Sequence, residues 1–181
     1  MIASPGTPPS FLERLFGRGR PARPDHNVVV LHDVTMRYPN GKEALREVDL
    51  VVPEGDFVFL VGPSGAGKST IMKLLIRDEL ATRGDVLVDG HDLARIPRRM
   101  VPKVRRKIGI VFQDFKLLPR KSVWENVAFA LEVTGSPRRA IRPAVDRVLA
   151  LVGLTGQADQ IPTQLSGGEQ QRTAIARALV H

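Results

Sequence analysis

Residues 57–75 read FVFLVGPSGAGKSTIMKLL: an apolar run, a stretch of turn chemistry and a helical periodicity in direct succession. Gly62–Ser69 meets the pattern G-x-x-x-x-G-K-[ST] at every position, and it lies between a predicted buried strand and a predicted helix, the context the pattern requires. Glycines let such a loop curl until successive N–H groups, from about Ser64 to Thr70, converge on an anion. The helix N-terminus adds its partial positive charge. Lys68 is suited to reach the β- and γ-phosphates, and the Ser69 hydroxyl to ligate Mg²⁺. The candidate binding residues are therefore Gly62, Pro63, Ser64, Gly65, Ala66, Gly67, Lys68, Ser69 and Thr70, and the implied ligand is a nucleoside triphosphate with Mg²⁺.

The flanking chain fits an α/β fold. VVVLHDVTMRY and EALREVDLVV read as strands joined by PNG, a hairpin-type turn. DFVFLVG and KIGIVFQ are continuous apolar runs, expected as strands buried on both faces of a sheet. Between them, KSTIMKLLIRDEL has helical spacing and GDVLVDG reads as a short strand with a turn. SVWENVAFALEVTG opens with a capping box, Ser122 to Glu125, and closes on Gly135. SPRRAIRPAVDRVLALVGL predicts a further helix that Pro143 should kink or restart. Helices thus cluster over about 121–164, and the domain is expected to span 28–181. Residues 1–27, rich in Pro, Gly and Arg, read as a disordered basic extension holding one amphipathic island, SFLERLF.

Composition excludes several classes. There is no cysteine, so disulfides and thiolate-held zinc are ruled out. No apolar run reaches the ~18 residues of a membrane-spanning helix. The 27 Lys and Arg against 19 Asp and Glu give a net charge of +8, and ten of the basic residues lie in Arg14–Arg23 and Arg98–Lys107. Such clusters suit anionic partners, although each taken alone reads equally as a solvated face.

Three further features gain weight together. Gln113 follows the IGIVF strand, at the carboxyl edge where open α/β sheets bind ligands. Tyr38 is the only tyrosine. Near the end of the sequence, LSGGEQ (165–170) opens a helix that Ser166 can cap while Gly167 and Gly168 leave its first amides open, a second anion site. With QQRTAIARAL behind it, this stretch resembles the signature motif of ABC ATPases, and the resemblance runs from about Val28 to His181.

That resemblance implies an ABC-type P-loop fold: a mostly parallel core sheet, an N-terminal antiparallel β lobe and a helical subdomain. It implies ATP and Mg²⁺ as ligands, Tyr38 at the adenine-stacking position and Gln113 as a second Mg²⁺ ligand beside Ser69. It also implies a head-to-tail homodimer in which Ser166, Gly167, Gly168, Glu169 and Gln170 of one copy cover the nucleotide held by the other. Residues 105–135, with Asp114–Phe115 after the glutamine, are similar to the cell-division branch of the family. That branch implies a peripheral seat on the cytoplasmic face of the bacterial plasma membrane, an integral membrane partner, and coupling of ATP turnover to cell-wall remodelling; nucleic acid is not expected. The alternatives are an importer or lipoprotein-release ATPase, a non-hydrolysing nucleotide-binding scaffold, and a DNA-maintenance ATPase, which the lack of zinc cysteines and of a coiled-coil insertion disfavours.

In this family a strand ending in Asp-Glu and a switch histidine follow the signature helix. Asp89 is followed by Gly90 and reads as a turn, and none of His26, His32, His91 and His181 stands at a switch position. The sequence therefore reads as an ABC domain truncated after its signature, with an incomplete core, no catalytic base of its own and no ATPase activity expected from it alone. An unpaired sheet edge is expected as well.

Overall fold

The antiparallel lobe forms where alternating apolar residues anticipate it. The computed structural model describes residues 26–180, so the expected extension before His26, its SFLERLF island and His181 lie outside the described residues. These fall into two compact units that divide between Val101 and Pro102.

In the first unit β1 (Asn27–Arg37), β2 (Glu43–Pro53), β3 (Arg83–Val88) and β4 (His91–Asp92) form one antiparallel sheet in the order β2-β1-β3-β4. The β1–β2 turn closes with Gly41 N donating to Tyr38 O and Tyr38 N donating to Lys42 O, each at 2.9 Å. Along β1 the buried side chains are Leu31, then Val34 and Met36. The switch from odd to even positions follows from an irregularity at Asp33, whose φ of 50° coincides with a shift in the β2 ladder between Leu31 and Val34 and in the β3 ladder between His32 and Thr35. Helix α1 (Lys68–Leu75) buries Thr70, Ile71 and Leu74. It stops earlier than its periodicity suggests, because Arg77 takes a left-handed φ of 53° and the Asp78 amide turns back to Lys73 O.

The second unit is helical. After a short α2 (Val101–Arg105) across the boundary come α3 (Val123–Val133), α4 (Arg138–Leu151) and α5 (Gly167–Leu179). Their shared core includes Val127, Leu131, Val145, Leu149, Leu154 and Ala176. Trp124 Nε1 donates to Asp146 Oδ1 at 2.9 Å, and the Arg142 guanidinium lies 5.5 Å from the same ring, fastening α3 to α4. Pro143 does not restart α4, which is continuous from Arg138 to Leu151. Pro143 and Arg139 lie on the exposed face, where water can satisfy the Arg139 carbonyl that proline leaves without a donor.

Two expected strands pair with nothing among the described residues. Residues 57–61 and 108–112 carry no ladder, and Phe59 and Val61 are 76% and 87% exposed. An apolar run is buried on both faces only when neighbours flank both its edges. The antiparallel lobe and the helical part are thus formed, while these two segments remain unpaired.

Candidate functional site

The phosphate-loop sequence adopts the backbone its glycines permit. Gly65 and Gly67 have φ of 83° and 90°, and Gly67 is the left-handed residue from which α1 starts. Its lack of a side chain is required twice over. A Cβ there would stand 2.6 Å from both the Ala44 carbonyl oxygen and Leu45 Cδ2 on β2. The amides of Lys68, Ser69 and Thr70 occupy the first turn of α1, ahead of any intrahelical acceptor, and that turn contains no acidic residue. Lys68 Nζ donates to the carbonyls of Gly62 at 2.7 Å and Pro63 at 2.8 Å, so its ammonium lies across the loop. Ser69 is exposed.

Tyr38, at the end of β1, is brought to this loop. Its hydroxyl lies 3.3 Å from the hydroxyl of buried Thr70, and Lys73 Nζ lies 5.8 Å from its ring centre. The tyrosine is thereby tied to the first two turns of α1.

These residues fit a magnesium nucleotide. First-turn amides and a lysine ammonium offer donors for phosphate oxygens, and a hydroxyl oxygen is the kind of ligand Mg²⁺ takes alongside phosphates and water. Among the described residues there is no cluster of three His, Cys, Asp or Glu that could hold a metal ion.

Gln113 and Ser166–Gln170 belong to the second unit. Gln113 is exposed and opens a tight loop in which Phe115 and Lys116 have φ of 56° and 47°. The Lys116 ammonium, 2.6 Å from Asp114, holds that carboxyl below the usual range. The Arg177 guanidinium donates to Phe115 O and Lys116 O, each at 2.7 Å. Burial pushes this guanidinium's pKa down from its ordinary value.

At the head of α5 the expected capping box is present. Ser166 Oγ accepts from the Glu169 amide at 3.4 Å, and Glu169 Oε2 accepts from the Ser166 amide at 2.8 Å. The Ser166 hydroxyl also donates to that carboxylate at 2.7 Å, so it must rotate before it can serve any other acceptor. These bonds from Ser166 hold the Glu169 carboxyl below its usual range. Gln170 Nε2 donates to the carbonyls of Pro162 and Leu165, making it a brace for the preceding turn.

Two supporting residues escaped the sequence reading. Fully buried Asn126 accepts from the Leu118 amide and donates to the carbonyls of Leu118, Lys121 and Ser122, fixing the loop that follows the glutamine. Its only sequence signal is a polar residue on the apolar face of α3. Arg177 offered no signal beyond a charge near a helix end.

The chain belongs to the ABC transporter family, whose pattern it matches over residues 45–181. Its fold is that of an ABC ATPase cassette. The chain is 52% identical over 154 residues to the cell division ATP-binding protein FtsE of Bacillus subtilis (strain 168), covering 85% of this chain and 68% of that protein. It is 45% identical to the methionine import ATP-binding protein MetN of Helicobacter hepaticus, covering 85% of this chain and 44% of MetN. Among solved structures, the dimeric post-hydrolysis state of the ATP-binding cassette MJ0796 bound to ADP and Pi superposes with a TM-score of 0.76 at 38% identity. That match covers 84% of this chain and 69% of MJ0796. The chain therefore spans about two thirds of the length of its FtsE relative.

Proposed function

We propose that this chain is the ATP-binding part of a cell-division ABC complex of the FtsE/FtsX type, coupling ATP binding and hydrolysis to cell-wall remodelling at the division site. The 52% identity to FtsE, set against 45% to MetN over the same share of this chain, carries this reading. Lys68 and the amides up to Thr70 take the phosphates, Ser69 with Gln113 supplies oxygen ligands to Mg²⁺, and Tyr38 faces the base. Bound Mg²⁺ supplies charge neutralisation at the β- and γ-phosphates. Two copies pair head to tail around ATP, with Ser166–Gln170 acting across the interface; the dimeric MJ0796 structure supports this arrangement.

In this reading an FtsX-like integral membrane protein seats the chain at the membrane; no helix among the described residues is long and apolar enough to cross one. Similarity to MetN favours a second reading, an importer subunit. Affinity purification of the tagged chain from gently solubilised membranes tests both. An FtsX-like membrane protein is the expected companion. A methionine-import permease would favour the second reading, and recovery of neither would remove the membrane-complex reading.

A further inference from the structure

The loop after Gln113 holds two adjacent non-glycine residues, Phe115 and Lys116, in the left-handed region. Each such residue carries a steric penalty and persists only where its surroundings hold it. Within the loop, the Phe115 amide donates to Phe112 O at 3.0 Å, and Lys116 pairs with Asp114. Neither bond reaches another element. From outside, Asn126 on α3 holds the far end of the loop at Leu118, and Arg177 holds the left-handed pair itself, its two terminal nitrogens bonding the two successive carbonyls. A planar fork fits two adjacent acceptors, whereas the compact lysine ammonium would not reproduce that geometry.

A second contact joins the same two parts. A Cβ on Gly109 would stand 2.2 Å from the Ala178 carbonyl oxygen, so the backbone leading into Gln113 runs directly against the last turn of α5. Residues 109–116 are therefore held against one end of a helix whose other end carries Ser166–Gln170. The ends lie about 15 Å apart at the ordinary helical rise. Buried Thr173, Ala174 and Ala176 seat the span between them.

We propose that Arg177 is a positioning residue that fastens the Gln113 loop to the last turn of α5. The consequence for nucleotide rests on the function proposed above; the lock itself does not.

The test uses the full chain with Arg177→Lys, Arg177→Met, Gln113→Ala and the double variant Gln113→Ala/Arg177→Lys. Hydrogen exchange without nucleotide reads the lock directly. Amides 115 and 116 should exchange at least about tenfold faster in both Arg177 variants, with the Leu118 amide, α3 and α4 unchanged, since two bonds to a charged donor are lost. Arg177→Lys keeps the stem and the charge, so it decides the matter should Arg177→Met fail to fold. Unchanged exchange in folded Arg177→Lys would overturn the lock. Titration with Mg-ATP reads the consequence: Gln113→Ala and Arg177→Lys should each weaken binding by about tenfold, and the double variant no further, because one residue acts through the other. Additive losses, or wild-type affinity in Arg177→Lys, would overturn the positioning role. A wild-type chain that binds no Mg-ATP would refute the nucleotide reading instead, with the exchange experiment still deciding the lock.

Discussion

Gly67 shows how much one residue can demand. Its φ of 90° starts α1, and the space where a side chain would sit is filled by β2. Gly67→Ala should destabilise the chain by at least about 2 kcal/mol, from left-handed strain plus the collision with Ala44 O and Leu45. It should also abolish Mg-ATP binding; a variant with wild-type melting and affinity would contradict this geometry. Gly67 was legible because its pattern is local and every position has a mechanism. Arg177 was not. An arginine in the last turn of a helix ordinarily faces solvent near the negative end of the dipole, and its partners at residues 115 and 116 are some 60 positions away in the sequence.

The helices follow the same division between local and long-range causes. The capping box at Ser122/Glu125 was readable from the spacing alone, and the structure contains it. Glu125 and Glu169 both titrate below their ordinary value of 4.5, chiefly through hydrogen bonds from Ser122 and Ser166. A carboxyl depressed on folding adds stability that is present above the unfolded pKa and is lost as pH falls through the folded one. The chain should therefore lose stability on acidification below about pH 4.5. A Glu125→Gln/Glu169→Gln variant accepts the same amide bonds without titrating, so melts at falling pH should find its deficit against the wild type shrinking. A constant deficit would contradict the assignment. Asn126 is the long-range counterpart. Asn126→Ala would leave the Leu118 amide and the Lys121 carbonyl without a partner and take one of two donors from the carbonyls of Leu118 and Ser122, at about 2–4 kcal/mol. Urea melts measure this, and a loss below about 0.5 kcal/mol would be incompatible with that network. At the exposed Pro143 the restart does not occur, and α4 stays continuous along its buried face of Ile141, Val145, Val148 and Leu149.

Across the molecule, the β1–β2 hairpin and the α3–α4 pair were predictable because their partners lie nearby in sequence. The parallel core was not fully readable. FVFLV and IGIVF have the composition of central strands, yet neither joins a ladder among the described residues, and their side chains are largely exposed. Apolar runs announce a preference for burial; only a neighbouring strand can satisfy it. Gly62–Thr70 in one unit nevertheless leads into a helix with open first-turn amides, and Ser166–Gln170 in the other forms the capped start of another. The proposed function presupposes that the loop around Lys68 takes phosphate. Equilibrium titration of the full chain and of Lys68→Ala with a fluorescent ATP analogue and Mg²⁺ tests this most directly. The account predicts saturable binding to the wild type and a loss of about thirtyfold in the variant, the worth of one charge-assisted contact. Equal affinity in the two, or no saturable binding by either, would contradict it.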